Sequence, residues 1–569
     1  MSLFQKIRKS KTWLFFTIIL LVVINWLASL YHTRLDFTNE KRFTLSTPTK
    51  KLLRQLDEVV QVDVFLKGEF PSGFKKLANS TAEMLGEFKE ISGNKLQYNF
   101  INPDENMPGT SIKWGDTLSA AGLYPFNLKS QLKEGEKQQL VYPVALMRYK
   151  DNVIPVKLYN GIPNIGYQEI NSAEALLEYE LANGIYRLTN SNKPMLAYSI
   201  GNGEPPVGSY ITYDLVENIL RTDYNLFTFN LNTQAVIPDT FKVLMIVKPT
   251  MPFSEAAKLK IDQFVMRGGR VLLFADKLNA EMDSLRIKNE VIAYDRGLEL
   301  DDLLFKYGIR INPDLVMDLQ SDKLPFDVNG NGQFDFLTWN YFPVFASASN
   351  HVINKNLGFV SGKFVNSIDT VEAAGIKKTW LLQSSPNSRV IATPALISGS
   401  ENVNAPKDEK FNRANIPVAF LLEGKFRSLF ANRLAQAFND SLAKYGAVFL
   451  PQCIYDNKII VVADGDIPLN AVQKNEPLPM GMNPFTYGTQ YQYPFANKNF
   501  VQNCLDYLAN TSGLSEAKAK DYTLQLLDKK KVEAERTTWQ IINILLPVLL
   551  VILFALLFQF IRKRKYTSI

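Results

Sequence analysis

Three short segments carry the side chains best suited to chemistry. Asp464-Gly465-Asp466 follows the apolar run KIIVVA, which places two carboxylates at the end of a strand. Carboxylates so placed could hold Mg²⁺ or act as an acid/base pair. An Asx-type turn leaving a sheet uses the same residues. Gly201-Asn202-Gly203-Glu204 ends a second strand pattern, PMLAYSI. In an open α/β sheet that is the ligand-binding edge, so Glu204 and the local amides could grip a small ligand or partner group. The alternative is a tight turn in which glycine supplies positive φ and Glu204 caps a backbone N–H. Third, Asp327, Asn329, Asn331, Gly332 and Asp335 fall on ligand or glycine positions of a calcium loop. The position of the closing glutamate is Thr338, and the flank FLTWNYFPVF reads as strand, so a polar glycine-rich turn competes with calcium.

Other site chemistries lack their residues. The chain has two histidines: His32 beside a hydrophobic span, and His351 in a loop-like stretch. A Ser–His–Asp arrangement would rest on His351 alone, no Gly-x-Ser-x-Gly follows an apolar strand, and zinc sites lack ligands. Gly-Asn-Gly-Glu is not Gly-x-Gly-x-x-Gly, and no Walker A sequence occurs, so nucleotide binding has no support. Cys453 follows an apolar stretch and Cys504 lies in a helical pattern, which predicts two separately buried thiols. The expectation is a chain with no catalytic residues and no cofactor. The rivals are an envelope enzyme acting on peptidoglycan or polysaccharide through Asp464, Asp466 or Glu204, and a purely structural envelope scaffold that binds no small ligand.

These segments need a scaffold, and the hydrophobic pattern supplies one. Ser46 with Pro48 predicts an N-capped helix, EVVQVDVFL and KLQYNF two strands, and FKKLANSTAEMLGEFKEI the crossover helix between them. Two strands should meet in a hairpin at Lys150-Asp151-Asn152, and SAEALLEYELANGIYRLT should be an amphipathic helix. Beyond it, PMLAYSI, NLFTFNL, FKVLMIV and RVLLFAD alternate with helical segments. One is ITYDLVENILRTD; another starts at Ser254 and stops at Gly268-Gly269. Several of these strands are apolar throughout, which indicates a parallel sheet covered on both faces. HVINKNLGFVSG and KTWLLQSSPNSRV read as loop-rich. Trp339, Tyr341, Phe342, Phe345 and Trp380, grouped there, are expected to pack in a core.

Hydrophobic spans bracket this body: Trp13–Tyr31, 19 residues, and Trp539–Ile561, 23 residues. Each is long enough to cross a bilayer. Lys6, Arg8, Lys9 and Lys11 precede the first, and Arg562, Lys563, Arg564 and Lys565 follow the second. The positive-inside rule then puts both termini in the cytoplasm and the body on the other side of the membrane. The net charge is +7, but the two tails hold four cations each, leaving −1 for the rest. Nucleic-acid binding is therefore not expected.

The expected fold class is α/β: a doubly wound, parallel-sheet core, a smaller N-terminal β-α-β domain, and a transmembrane helix at each end. The expected boundaries are a basic tail 1–12, a span 13–31, an N-terminal domain 32–190 and a large domain 191–530 with loop-rich insertions. A stalk 531–538, a span 539–561 and a basic tail 562–569 complete the chain.

A family resemblance runs through almost the whole chain. DFTNEKRFTLSTPTKKLL, SIGNGEPP, IDQFVMRGGRVLLFAD, LELDDLLFKYGIRINPDLVMD, FLLEGKFRSLFANR and VVADGDI, in this order and with both spans, resemble the GldG group of gliding-motility-associated auxiliary proteins of Bacteroidetes. More widely they resemble ABC-transport auxiliary proteins with a glutamine-amidotransferase-like α/β domain, which would correspond to residues 191–530. Relatives usually have Gly-His-Gly-Glu where this chain has Asn202, so no role of that histidine carries over. The resemblance implies a non-enzymatic auxiliary subunit in the inner membrane. Its partners would be a permease subunit and a cytoplasmic ATPase subunit, and self-association is left open.

Overall fold

The computed structural model describes residues 13–30, 44–70, 72–123, 125–132, 135–159, 167–190, 192–282, 285, 288, 290–328, 330–399, 408–432, 448–509, 513–519 and 529–566. The first basic tail, His32 and Asn329 lie outside them. The chain forms two units, Met1–Asp521 and Tyr522–Ile569.

In the first unit, helix α1 (Trp13–Leu30) covers the described part of the first hydrophobic span. Helix α2 (Thr47–Arg54) opens as expected, with the Ser46 hydroxyl accepting the Thr49 amide and Pro48 in the first turn. Strand β1 (Val60–Val64), helix α3 (Ser72–Ile91) and strand β2 (Leu96–Phe100) make the β-α-β unit, with β1 and β2 parallel. Strands β3 (Val144–Tyr149) and β4 (Asn152–Lys157) form the hairpin, where Lys150 takes a positive φ of 53°. The sheet order is β2-β1-β3-β4. Helix α4 (Tyr167–Thr189) closes one core with Leu177, Leu181 and Ile185.

The large sheet contains β5 (Met195–Ile200), β6 (Asn225–Asn230), β7 (Phe241–Val247) and β8 (Arg270–Phe274). Helix α5 (Glu255–Met266) joins β7 to β8, begins at Ser254 and is followed by Gly268 at φ 95°. Further strands are β9 (Ser321–Phe326), β10 (Asp335–Ser347), β11 (Ile376–Gln383), β12 (Pro417–Gly424) and β13 (Asn457–Val462). Their order is β9-β10-β11-β12-β13-β8-β7-β5-β6, with the short Val360–Ser361 strand against β10.

The apolar runs now have a local reason. On β7, Leu244 and Ile246 face a core shared with Phe264 and Val265 of α5. Val243, Met245 and Val247 face another, shared with Phe500, Val501 and Leu505 of helix α6 (Asn497–Ala509). A strand with helices on both faces has no polar side, so its residues are apolar without alternation.

Four expectations need correction. The sheet is mixed: only β6, β5, β7, β8 and β13 are parallel to one another, and β9 to β12 extend it antiparallel. The stretch read as loop-rich holds β11 and a strand Ser388–Ala392. Trp339, Tyr341, Phe342 and Phe345 are core residues, but Trp380 is 42% exposed on β11. ITYDLVENILRTD is helical in three parts, with a π-helical centre at Asp214–Leu220. There Asp214 accepts the Asn470 side-chain amide and the Met480 backbone N–H.

The described part of the second unit is one helix, α7 (Lys529–Tyr566), so the expected stalk is continuous with the second span. Among the described residues, Glu535–Arg564 within it is the helix long and apolar enough to cross a membrane, with a mean hydropathy of 3.1 over its most apolar 18 residues. The apolar stretch Phe15–Asn25 of α1 is shorter than that criterion requires.

Candidate functional site

The parallel strands finish level with one another. Val247 is paired with Phe274, and Phe274 with Val462. Each apolar run then hands the chain to a polar residue at the carboxyl edge: Lys248 after β7, Asp276 after β8, and Asp464 and Asp466 after β13. Lys248 has a φ of 43°, a sparsely populated region for a residue with a side chain.

The Lys248 ammonium stands 2.8 Å from Asp466 Oδ2, 3.1 Å from Glu281 Oε2 and 3.8 Å from Asp276 Oδ2. Arg296 adds a second cation, 2.5 Å from Glu281 Oε1 and 3.9 Å from Asp276 Oδ2. Asp464 is spent on the backbone, its two oxygens accepting the Asp466 and Lys363 N–H groups at 2.7 and 2.9 Å. Asp276 Oδ1 accepts the Gly465 N–H at 2.6 Å, and its buried Oδ2 has no hydrogen-bond donor among the described residues.

Burial sets the protonation pattern. It pushes the Asp276 carboxyl up to about 6, against the pull of Lys248. It raises Asp464 well above the carboxylate range, helped by Asp466 and Asp276. Burial opposes the charges of Asp466 and Lys248 as well, but each holds the other ionised: Asp466 is lowered, Lys248 raised.

Ligand oxygens of Asp276, Asp464 and Asp466 lie within 4.8 Å of one another, near enough to share a cation. The Lys248 ammonium already supplies one, and both Asp464 oxygens are engaged. Beside Asp466 a cavity of about 20 Å³, bordered by Lys363, Asp322, Asn483 and Asn497, has room for one water. The arrangement neutralises buried charge at the carboxyl edge.

The other sequence candidates form no part of this cluster. Glu204 accepts the Ser199 hydroxyl and the Asn202 N–H, both at 2.7 Å, which is the turn-capping role. Gly201 and Gly203 have φ of 110° and 79°. Asn202 is buried; its amide donates to the Pro252 carbonyl and its Oδ1 has no hydrogen-bond donor. A Cβ on Gly203 would strike the Thr250 hydroxyl. Gly203→Ala is therefore expected to cost about 2 kcal/mol or more, read as a lower urea midpoint. A variant as stable as the parent would show that the turn relaxes.

Asp327 accepts the Asn331 and Gly332 amides at 3.1 and 3.0 Å inside the β9–β10 turn, and Asp335 opens β10 opposite Phe326. With Asn329 outside the described residues, these contacts describe a hairpin turn. His351 packs edge-on against Tyr507, and burial lowers its pKa. Lys248, Glu281 and Arg296 were not singled out from the sequence, and Asp276 was quoted only as the end of a strand. A signal existed for two of them: each is the first charged residue after an apolar run, in FKVLMIVK and RVLLFAD.

Residues 193–504, which hold the whole charged edge, match the family described as an ABC-type uncharacterized transport system. The chain belongs to this family. Residues 39–148 of this ABC-transport auxiliary chain also match a domain of unknown function, DUF7088. An uncharacterized protein of Borreliella burgdorferi is 23% identical over 430 residues, covering 74% of this chain and 78% of that protein. Among solved structures, the mmIFT52 N-terminal domain aligns with a TM-score of 0.30 and 12% identity, covering 55% of this chain and 96% of that one. At that score the likeness carries no argument.

Proposed function

We propose that the chain is a membrane-anchored, non-catalytic auxiliary subunit of an ABC-type transporter, coupling an extracytoplasmic body to a permease and a cytoplasmic ATPase. The observation that carries this reading is α7: a chain of an ABC transport family bears a 30-residue apolar helix, Glu535–Arg564, with its apolar window wholly exposed. Such a surface needs lipid or other transmembrane helices around it. We take α1 as a second span and place both ends in the cytoplasm, following the basic residues that flank them. A role in gliding motility or associated envelope transport is the finer proposal, supported by the resemblance of the quoted segments.

The carboxyl edge supports binding and coupling better than chemistry. Its carboxylates face an ammonium, a guanidinium or backbone amides, and the adjoining cavity holds about one water. An envelope enzyme would need a cleft that admits a sugar between two accessible carboxyl groups. Self-association remains compatible with this reading.

Full-length protein purified from native membranes in mild detergent is expected to bring a permease and an ATPase in stoichiometric amounts. Replacing Leu549 and Leu553, mid-helix in α7, by arginine should sharply reduce that recovery, since each charge costs about 2.5–3.5 kcal/mol at a membrane centre. Recovery of the chain alone, or with cell-wall material, while a control ABC complex stays intact, would overturn the reading.

A further inference from the structure

We propose that the short turn Leu514–Ala519 is a reversible latch holding the chain that leads into α7 against α4. This rests on the reading of α7 as a membrane anchor. The turn is a 3₁₀ helix that follows α6 of the large domain yet packs on α4 and α2 of the small one. Leu514 and Ala517 join the small domain's core with Leu53 and Ile185. Helix α2 is held to α4 as well, through the Ser46 N–H on Glu178 Oε1 at 2.7 Å. The segment that follows the first hydrophobic helix and the segment that precedes the last one therefore share a single support.

That support also ties the small four-stranded sheet's layer to the elements of the large sheet. Tyr179 of α4 donates to Asp506 of α6 at 2.5 Å, and Tyr224 of the large domain donates to the same carboxylate at 3.1 Å. Arg187 of α4 pairs with Asp223 at 2.6 Å. A displacement of the turn is thus felt where that layer meets them.

Lys518 makes the latch reversible. It is 5% exposed, its ammonium lies 3.7 Å over the Tyr179 ring, and it donates to Asn503 Oδ1. Among the described residues no carboxylate stands within ion-pair distance of it. Burial pulls its pKa down while Asp506 and Glu180 pull the other way. A desolvated ammonium held by an amide oxygen and a ring face, and by no carboxylate among the described residues, opposes the closed state that Leu514 and Ala517 favour. The two effects offset each other, so opening the turn is cheap compared with unfolding the helices around it.

Hydrogen exchange on the full-length protein in detergent tests the first half. Amides of 514–519 should exchange at least about tenfold faster than those of α6, and Lys518→Met should slow them by about tenfold or more. Equal protection of turn and helix, or no slowing in Lys518→Met, overturns the latch.

A crosslink tests the second half. A Cβ built on Gly513 stands 3.8 Å from Pro48 Cβ, a disulfide separation; its φ of 67° strains a cysteine there equally in the oxidised and reduced forms, so their comparison isolates the crosslink. Cys453 and Cys504 are buried, with their thiols pushed up by burial, to about 11 for Cys453, and do not compete. In the co-purified transporter, oxidised Pro48→Cys/Gly513→Cys should lower ATPase activity about fivefold or more, and reduction should restore it. Equal activity of the oxidised and reduced forms overturns the coupling role. Failure of both forms to recover the complex, where the parent chain succeeds, also overturns it; failure of the parent itself counts against the auxiliary-subunit reading, and the exchange result still decides the latch.

Discussion

Lys248→Met lowers the stability of the body that carries the large sheet by about 3–5 kcal/mol, the usual loss when one partner of a buried ionic cluster is removed. Methionine keeps the length and apolar stem of lysine, so little of the loss comes from a cavity. What disappears is the cation 2.8 Å from Asp466 and 3.8 Å from Asp276. Asp276 then loses the main force opposing burial, and Asp466 loses the partner that keeps its pKa low.

The pH dependence has a definite sign. The folded-state pKa of Asp276, about 6, lies above its ordinary 3.8, so the folded form binds this proton more tightly. Its contribution to stability is favourable at low pH and is lost as pH rises through that window. Without Lys248 the folded pKa moves higher, and the relief on acidification begins earlier. Urea midpoints for Lys248→Met should therefore lie nearest the parent at about pH 5 and furthest at about pH 8. An equal deficit at both pH values would refute the electrostatic account; a loss under about 1 kcal/mol would mean water reaches the cluster.

The second large effect is at Asp262, on α5 and fully buried. Its Oδ1 accepts the Tyr307 hydroxyl at 3.0 Å and the Leu429 N–H at 2.9 Å. Its Oδ2 accepts the Ser428 hydroxyl at 2.6 Å and the Gln263 amide at 3.1 Å. Burial raises its pKa against these four donors. Asp262→Ala removes an acceptor from all four, of which Gln263 keeps its bond to the Leu450 carbonyl; with the relief of no longer burying a carboxylate, the net loss is about 3–5 kcal/mol. Asp262→Asn keeps one acceptor oxygen and should lose less than half as much. The same contacts hold Phe426, Leu429 and Phe430 in the core, so trypsin should cleave after Lys425 and Arg427 sooner in Asp262→Ala. Unchanged cleavage with an unchanged midpoint would show that the donors find other partners.

Legibility along the chain followed the range of the interactions. Helices α2 and α5 were readable because Ser46 and Ser254 cap their own first turns, three residues away. Strands β1 and β2 with α3 were readable because a crossover unit is contiguous in sequence. Strand β11 was not: its burial is irregular, Trp380 faces solvent, and it becomes a strand by pairing with β12 some 40 residues on. The π-helical centre at Asp214–Leu220 was equally hidden. Asp214 is fixed by Asn470 and Met480, 256 and 266 residues later.

Local periodicity and composition determined the strand and helix segments of the sheet core, the apolar helix α7 and the scarcity of catalytic residue types. Each of these is set within one or two turns of chain. Tertiary structure alone decided which charges meet. Lys248 and Asp466 are 218 positions apart and touch because β7, β8 and β13 lie side by side and end level. It also decided that Glu204 turns back onto its own loop, and that Lys518 is buried over the Tyr179 ring of α4. A strand's periodicity reports which face is buried, but its neighbours in the sheet depend on the path of the whole chain.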